Sequence, residues 1–225
     1  MIYSGATHDF LHDVLPDEDF RADIFSLVDA AWSRVKAPRR KRHEPRITGL
    51  LQLAMIELGE SRYESNPPFS IREDVKIRHQ KTGKEVERMD LGIWLNQHYI
   101  KADRPYFVFE AKKLNTSEWE SNAYDYVGPE GMAHLLAGGY QSKRNYRGML
   151  AFVMDGNVPN AKQAVEKQLA NKARELNLDG DPKIRPSEKM PRKTPHGETH
   201  HKNSVARSVV YHMFLSVARK VAATE

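Results

Sequence analysis

The sequence predicts an α/β fold in which a mixed central β-sheet is flanked by helices. Apolar residues recur every three or four positions over 17–35 and again over 44–59, which is the stripe of an amphipathic helix. Runs rich in β-branched and aromatic residues at 69–79, 86–94, 106–114 and 147–155 are typical of strands. Because helical and strand segments alternate along the chain, we expect both to pack around one core.

The length of 225 residues suits a single domain. We expect its core at about 44–155, after an N-terminal arm and helix (1–43) and before a C-terminal helix, a basic loop and a closing segment (156–225). No apolar run approaches the roughly 18 residues that span a bilayer, and no secretory signal is evident. The chain has no cysteine, which excludes disulfides and thiolate sites. These features predict a cytoplasmic protein without a membrane partner.

The first helix is predicted over Asp17–Val35 and the second from Glu44, where Pro45 suits a first turn. Gly59 is a plausible stop for the second helix. Three consecutive strands should then form an antiparallel meander, because the turn between the first two is short.

The second half of the chain is predicted to alternate again. We expect a polar loop over 115–128, a helix opened by Pro129, a buried strand over 147–155 and a basic amphipathic helix over 160–178. Residues 179–203, rich in Gly, Pro and Lys, are predicted to be a flexible loop. The pattern over 204–223 fits either a strand or a helix.

Charged residues follow an apolar run in the strand Y-F-V-F-E-A-K-K-L, which begins at Tyr106. Since side chains alternate along a strand, Glu110 and Lys112 should share one face, and Ala111 and Lys113 the other. Pairing with the preceding strand would bring Asp90 to the same patch. Two carboxylates and a lysine beside an apolar strand need compensation, and a divalent cation would provide it.

This arrangement, Asp90 followed after 19 residues by Glu110-Ala111-Lys112, resembles the metal site of the PD-(D/E)xK nuclease superfamily. Met89 stands where the proline of the family's name would be. The resemblance covers roughly residues 44–155 and implies a restriction-endonuclease-like fold, in which the strand after the site is reached through a crossover helix. The stretches P-E-G-M-A-H-L-L-A-G-G-Y and R-G-M-L-A-F-V-M-D-G resemble, more loosely, members tied to restriction and phage defence.

The resemblance implies a Mg²⁺ site, with Mn²⁺ as a substitute, held by Asp90, Glu110 and the backbone carbonyl of Ala111. Lys112 would orient the attacking water or stabilise the transition state. Superfamily members often add a glutamate from the first core helix, and we favour Glu44 over Glu57 for that role. Gln141 is a further candidate catalytic residue, although a plain helix-end position explains it equally well.

Nucleic acid is the expected partner because basic residues cluster in the sequence, which carries a net charge of +5. Two basic runs lie at 36–46 and 183–193, and either alone would suit a solvated loop. The predicted phosphate contacts are Arg39, Arg40, Lys41, Arg42, Lys143, Arg144 and Arg147.

Histidines cluster at His196, His200 and His201. Imidazoles four residues apart on a helix can bind zinc, but Pro195 and Gly197 argue against a helix here. A flexible or DNA-contacting loop is the favoured interpretation, and His212 is expected to be a packed core residue.

Three functions compete for this sequence. The first is a metal-dependent nuclease, with DNA as the expected substrate, acting in restriction or phage defence. The second is a catalytically inactive nucleic-acid-binding module or a subunit of a larger defence complex, and the third is an interaction protein without nucleic acid. A homodimer or recruitment by a larger sensor complex is expected, since one core cuts one strand and two-fold dimers are common. The helix at 17–35 is a candidate dimer contact.

Overall fold

The computed structural model describes residues 17–35, 43–64, 67–78, 85–95, 106–137, 146–190, 195–202 and 207–217. Six strands form one mixed sheet, and helices pack on both of its faces. The predicted α/β class, with a mixed sheet between helices, is therefore confirmed.

The helices are α1 (Asp17–Arg34), α2 (Glu44–Arg62), α3 (Trp119–Val127), α4 (Met132–Ala137) and α5 (Val158–Asn171). The strands are β1 (Phe69–Arg78), β2 (Glu85–Leu95), β3 (Phe107–Leu114), β4 (Tyr146–Val153), β5 (Gly197–Lys202) and β6 (Arg207–Ser216). A short 3-10 turn at Thr116–Glu118 precedes α3. None of the helices within the described ranges has both the length and the apolar character needed to cross a bilayer.

The sheet has the strand order β1-β2-β3-β4-β6-β5. The first three strands pair antiparallel, which confirms the predicted meander. Strands β3, β4 and β6 are parallel, and β5 returns antiparallel beside β6. Parallel neighbours need a crossover, and α3 and α4 lie in the connection between β3 and β4.

The sheet separates two hydrophobic cores because successive residues of each strand face opposite sides. On β3, Phe107, Phe109 and Ala111 join the core beneath α1 and α2. Val108 and Leu114 join the core beneath α3, α4 and α5. The apolar stripe of α1 is buried in the first core, so a dimer contact through this helix, which stays a prediction, would have to use its exposed side.

Helix α2 continues three residues past the predicted stop at Gly59. Gly59 is buried, and a Cβ added there would lie 3.4 Å from two atoms of the Phe69 ring. The glycine therefore lies within α2, packed against Phe69 of β1, and does not end the helix.

The predicted polar loop over 115–128 is instead largely the helix α3. Ala123, Tyr126 and Val127 are fully buried, and their spacing of three and four residues places them on one helix face. Only these few positions carry the helical pattern, because most of the other described side chains of the segment are polar and exposed or half-buried.

Helix α5 is shorter than the predicted 160–178. The side chain of Asn157 caps its start by accepting a hydrogen bond from the backbone N–H of Asn160 (3.4 Å). Residues 172–177 form turns. Within the predicted closing segment 204–223, the part that the structure describes is the strand β6 and not a helix.

The prediction of a flexible loop over 179–203 is wrong for the part that the structure describes, 179–190 and 195–202. Arg185 bridges Glu198, and Leu178 bridges His201. Ile184 and Met190 are 3% and 4% exposed. Burial of these two apolar side chains and the two bridges to β5 therefore hold the segment beside this strand.

Candidate functional site

The candidate site lies where β2 and β3 stop pairing. Their ladder joins Leu91–Ile93 to Phe107–Phe109. Beyond it, Oδ2 of Asp90 accepts the backbone N–H of Ala111 at 2.8 Å, and Oε2 of Glu44 accepts the N–H of Lys113 at 2.7 Å. The N–H groups of alternate strand residues point to the same edge. Two carboxylates therefore occupy the edge of β3 that a longer ladder would have filled.

The side chains of Glu110 and Lys112 share one face of β3, as the strand alternation predicts. Nζ of Lys112 lies 2.8 Å from Oε1 of Glu110 and 3.6 Å from Oε1 of Glu44. Glu57 is exposed on α2, so the structure brings Glu44, and not Glu57, to this group. Asp90, Glu110 and Lys112 line one cleft, which confirms that they form a single patch.

The cleft has a volume of about 800 Å³ and an acidic lining. The lining residues are Pro45, Thr48, Glu73, Asp74, Asp90, Glu110, Lys112, Pro129, Glu130 and His134. Five of these carry carboxylates, and oxygen donors of that kind suit hard divalent cations.

Burial, together with like charge, disfavours ionisation of two carboxyl groups of the candidate site, Glu110 and Glu44. Burial, followed by the neighbouring charge of Asp90, raises the pKa of Glu110 to about 8. The ammonium of Lys112 opposes this shift but offsets only part of it. Burial also raises the pKa of Glu44, against the influence of Lys112.

For Lys112, in contrast, the surroundings favour the charged form. Its burial alone would lower the pKa, but the carboxylates of Glu110 and Glu44 raise it above the ordinary lysine value. The ammonium therefore stays charged at neutral pH, and it is a fixed positive group in an otherwise acidic cleft.

Four acidic or titratable residues of the cleft were not predicted as site residues from the sequence: Glu73, Asp74, Glu130 and His134. Asp74 follows a break in the apolar alternation of β1, which was the available signal. The register of β1 on β2 pairs Glu73 with Leu91 and Val75 with Met89, so Asp74 lies across from Asp90. Like charges in facing positions are unfavourable, and the backbone of Asp74 is left-handed there, with φ of 50°.

A tight turn between α3 and α4 forms the opposite wall of the cleft and carries Pro129 and Glu130. A Cβ at Gly128 would lie 2.6 Å from the carbonyl oxygen of Tyr124, and one at Gly131 would overlap the carbonyls of Asp125 and Tyr126. Both glycines are thus required by the close approach of the chain to itself. We call residues 128–131 the cleft wall.

Of the predicted phosphate contacts and Gln141, the structure describes only Arg147. Gln141, Lys143, Arg144 and the run Arg39, Arg40, Lys41 and Arg42 lie outside the described residues. Arg147 is 7% exposed. Its side chain is buried against the sheet and is not presented to a phosphate backbone at the surface, so this assignment is corrected.

The three clustered histidines have separate partners. Nδ1 of His196 accepts the backbone N–H of Phe214 (3.0 Å), so its Nε2 donates to Asp29 (2.8 Å). His200 lies 2.8 Å from Glu198, and His201 is fully buried. Because they lie on and beside an ordered strand, the flexible-loop interpretation is wrong. His212 is a buried core residue, as predicted.

Within the described ranges, no group of three or more His, Asp or Glu side chains is arranged to hold a metal ion. In the cleft, Asp90 and Glu44 each turn an oxygen to a backbone N–H group, and Glu110 faces the ammonium of Lys112.

Comparison of the chain with protein-family models, with curated proteins and with solved structures found no match.

Proposed function

We propose that this chain is a metal-dependent nuclease that hydrolyses phosphodiester bonds, with DNA as the expected substrate. The observation that carries the proposal is the convergence of Glu44, Asp90, Glu110 and Lys112 from α2, β2 and β3 at the point where β2 and β3 separate. An antiparallel meander followed by parallel strands beyond crossover helices supports a restriction-endonuclease-like core. This agrees with the resemblance of the D-E-A-K residues to PD-(D/E)xK nucleases.

The chemical type of the donors suits Mg²⁺, although a bound cation would have to draw the carboxylates away from their present partners. The donor set consists of carboxylate oxygens gathered in a partly buried cleft, where burial and then the neighbouring charge of Asp90 raise the pKa of Glu110. A divalent cation would offset both effects, because it stabilises the ionised carboxylate. Asp90, Glu110 and the carbonyl of Ala111 would hold it, since the carbonyl of a strand residue points to the same edge as its N–H. When bound, Mg²⁺ would supply Lewis-acid chemistry, by lowering the pKa of a water molecule and neutralising charge on the phosphate.

The side chains of the cleft would divide the remaining work. The ammonium of Lys112 would donate to the attacking water or to a phosphate oxygen, where its charge stabilises the transition state. Glu44 would hold Lys112 in place, because it lies 3.6 Å from the ammonium and is itself fixed by the N–H of Lys113.

A direct assay tests this proposal. Purified protein is incubated with plasmid, linear DNA and RNA in Mg²⁺, Mn²⁺ or EDTA. We expect cleavage with the metals and none in EDTA. Asp90→Ala and Glu110→Ala should abolish cleavage while largely retaining nucleic-acid binding, because neither substitution removes positive charge. Full activity of both variants at limiting Mg²⁺ would contradict the site.

One observation favours a second candidate, a nucleic-acid-binding module without catalysis. Asp90, Glu110 and Glu44 each have an N–H or ammonium partner within the chain, so the group is satisfied without a cation. Such a module would bind nucleic acid equally well in Mg²⁺ and in EDTA and would leave it uncut.

The biological setting proposed for the nuclease is restriction or phage defence in the cytoplasm. We propose that the chain works as a homodimer or as a subunit of a larger sensor complex, since one such core cuts one strand. Light scattering on the isolated chain, beside its activity on plasmid, separates these cases. A monomer that cuts both strands efficiently without a partner would contradict both.

A further inference from the structure

A chain of buried polar groups runs behind the cleft wall from α3 to the turn after α5. The hydroxyl of Tyr126 lies 3.0 Å from Nδ1 of His212, and Nε2 of His212 lies 2.9 Å from Oγ1 of Thr199. The same Oγ1 lies 2.8 Å from Nε2 of His201, whose Nδ1 lies 2.9 Å from the carbonyl oxygen of Leu176. The four side-chain-bearing residues are between 0% and 2% exposed.

The carbonyl of Leu176 sets the direction of the two hydrogen bonds nearest to it, those of His201 to Leu176 and of Thr199 to His201. A carbonyl oxygen only accepts, so Nδ1 of His201 carries the hydrogen. In the neutral ring its Nε2 is then an acceptor, and the hydroxyl of Thr199 donates to it. A hydroxyl has one hydrogen, so toward His212 the oxygen of Thr199 must accept.

The directions of the other two hydrogen bonds, of His212 with Thr199 and with Tyr126, follow from counting the hydrogens in the same way. Nε2 of His212 carries the hydrogen that Thr199 accepts, which leaves Nδ1 of His212 to accept from the hydroxyl of Tyr126. Every hydrogen in the chain thus points from α3 toward Leu176. Both imidazoles are neutral, and they are opposite tautomers.

The surroundings oppose a positive charge on either ring. Burial, together with His201 and with Lys162 of α5, lowers the pKa of His212 to about 3. Burial also lowers the pKa of His201, and so do His200 of β5 and Arg147 of β4, although the bond to Leu176 opposes this. The residue that reaches His212 from α3 is Tyr126, and burial raises its pKa well above the ordinary value. It therefore stays neutral.

We propose that this chain of hydrogen bonds is an acid-sensitive latch that holds the cleft wall against the sheet. Tyr126 lies two residues before Gly128, at which the tight turn of the cleft wall begins, so α3 transmits its anchoring to Pro129 and Glu130. The only nitrogen lone pairs of the two rings already accept hydroxyl hydrogens. A proton must therefore displace the hydroxyl of Thr199 or of Tyr126, which opens the latch. The proposal does not depend on the nuclease activity.

The first test measures the tautomers in the full chain by long-range ¹H–¹⁵N NMR of the imidazoles. We expect Nδ1–H at His201 and Nε2–H at His212 near neutral pH. On acidification both rings should stay neutral as long as the native spectrum persists, and they should gain protons together with the loss of the α3 signals. Identical tautomers would overturn the proposal, as would protonation of either ring in an unchanged native spectrum.

The second test removes one hydroxyl and measures the acid midpoint of unfolding and the amide exchange of residues 126–131. Tyr126→Phe should lower the folding equilibrium constant roughly tenfold and move the acid midpoint to higher pH, because Nδ1 of His212 loses its donor. Tyr124→Phe is the matched control, since Tyr124 is 49% exposed on the same helix.

Thr199→Val should act like Tyr126→Phe, whereas Thr199→Ser keeps the hydroxyl and should behave like the wild type. If Tyr126→Phe and Tyr124→Phe show the same acid midpoint and the same exchange, the latch is refuted. A variant that does not fold leaves the tautomer measurement on the wild type as the deciding result.

Discussion

At the residue scale, Glu110 shows how the candidate site works against the stability of the folded chain. The pKa of its carboxyl is raised from the ordinary value of 4.5 to about 8 in the folded protein. Between these values the unfolded chain releases a proton that the folded chain keeps, so the free energy of unfolding falls as the pH rises through this window. The cleft thus places a carboxylate where folding alone would not favour one.

The first prediction follows from that cost. Without a metal ion, Glu110→Gln should lose less stability than the wild type between pH 4.5 and pH 7, by roughly 3 kcal/mol at about 1.4 kcal/mol per pH unit. Urea unfolding in EDTA at the two pH values measures the difference. Glu57→Gln, an exposed position on α2, is the control. Parallel pH profiles for all three proteins would show that Glu110 ionises normally in the fold.

The second prediction separates two neighbouring lysines. Lys112→Ala should abolish cleavage but retain metal binding, because its ammonium acts on water or phosphate and not on the cation. Lys113→Ala should keep activity, because its side chain points to the face of β3 opposite Lys112 and alanine keeps the backbone N–H that Glu44 accepts. Cleavage rates and calorimetric Mn²⁺ binding for both variants provide the measurement. If the two variants showed the exchanged phenotypes, the catalytic face of β3 would be the one that carries Lys113, and our assignment of the face would be wrong.

At the element scale, the packing of β4 on β3 depends on Gly148. A Cβ at this position would overlap the ring of Phe109 in the parallel neighbour, and both residues lie in the centre of the sheet. A rigid aromatic ring between buried elements cannot move aside without disturbing the core. The glycine is therefore part of the close approach that aligns β3, and with it the candidate site.

The third prediction compares two glycine substitutions. Gly148→Ala should destabilise the fold by about 1–3 kcal/mol through overpacking. At Gly49 an added Cβ meets Oε2 of Glu73 at 2.6 Å, which is the end of a flexible side chain. There the gain of about 1 kcal/mol in helix propensity should offset the shift of Glu73. Thermal unfolding of both variants checks the contrast, and equal losses would contradict it.

Elements whose signal is local were predictable from the sequence. The alternation of β3 placed Glu110 and Lys112 on one face because a strand repeats every two residues. The order along 179–203 was not predictable, since it depends on Arg185 reaching Glu198 and on burial of Ile184 by distant elements. Likewise, Asp74 meets Asp90 only once the register of β1 on β2 is known. Local periodicity carries no information about such register.

At the scale of the whole molecule, the charge of the cleft and the charge of the chain have opposite signs. The cleft lining contains five carboxylates beside Lys112, whereas the chain carries a net charge of +5. Under the proposed function, attraction of a phosphate backbone would therefore come from basic residues outside the cleft. The run at 36–46, which lies largely outside the described residues, contains Glu44.

The fourth prediction concerns that run. Lysine and arginine contacts to phosphates release counterions, so affinity for nucleic acid should fall steeply with salt. Replacing Arg39, Arg40, Lys41 and Arg42 with neutral residues should flatten the slope of log affinity against log salt by roughly one unit for each phosphate that is no longer neutralised. Fluorescence anisotropy with a labelled duplex over a salt series measures it. An unchanged slope would assign the run to a solvated loop or a protein partner.

The two edges of the sheet differ in their capacity for self-association. Along β5, the bridges of Leu178 to His201 and of Arg185 to Glu198 cover the outer edge. Strand β1 has no further strand beside it among the described residues, and its middle exposes Arg72, Glu73 and Asp74. Covered or charged edges resist the addition of foreign strands. A sheet with one covered edge can add another copy only through the other edge, so such association would end at a pair and could not grow into a fibre.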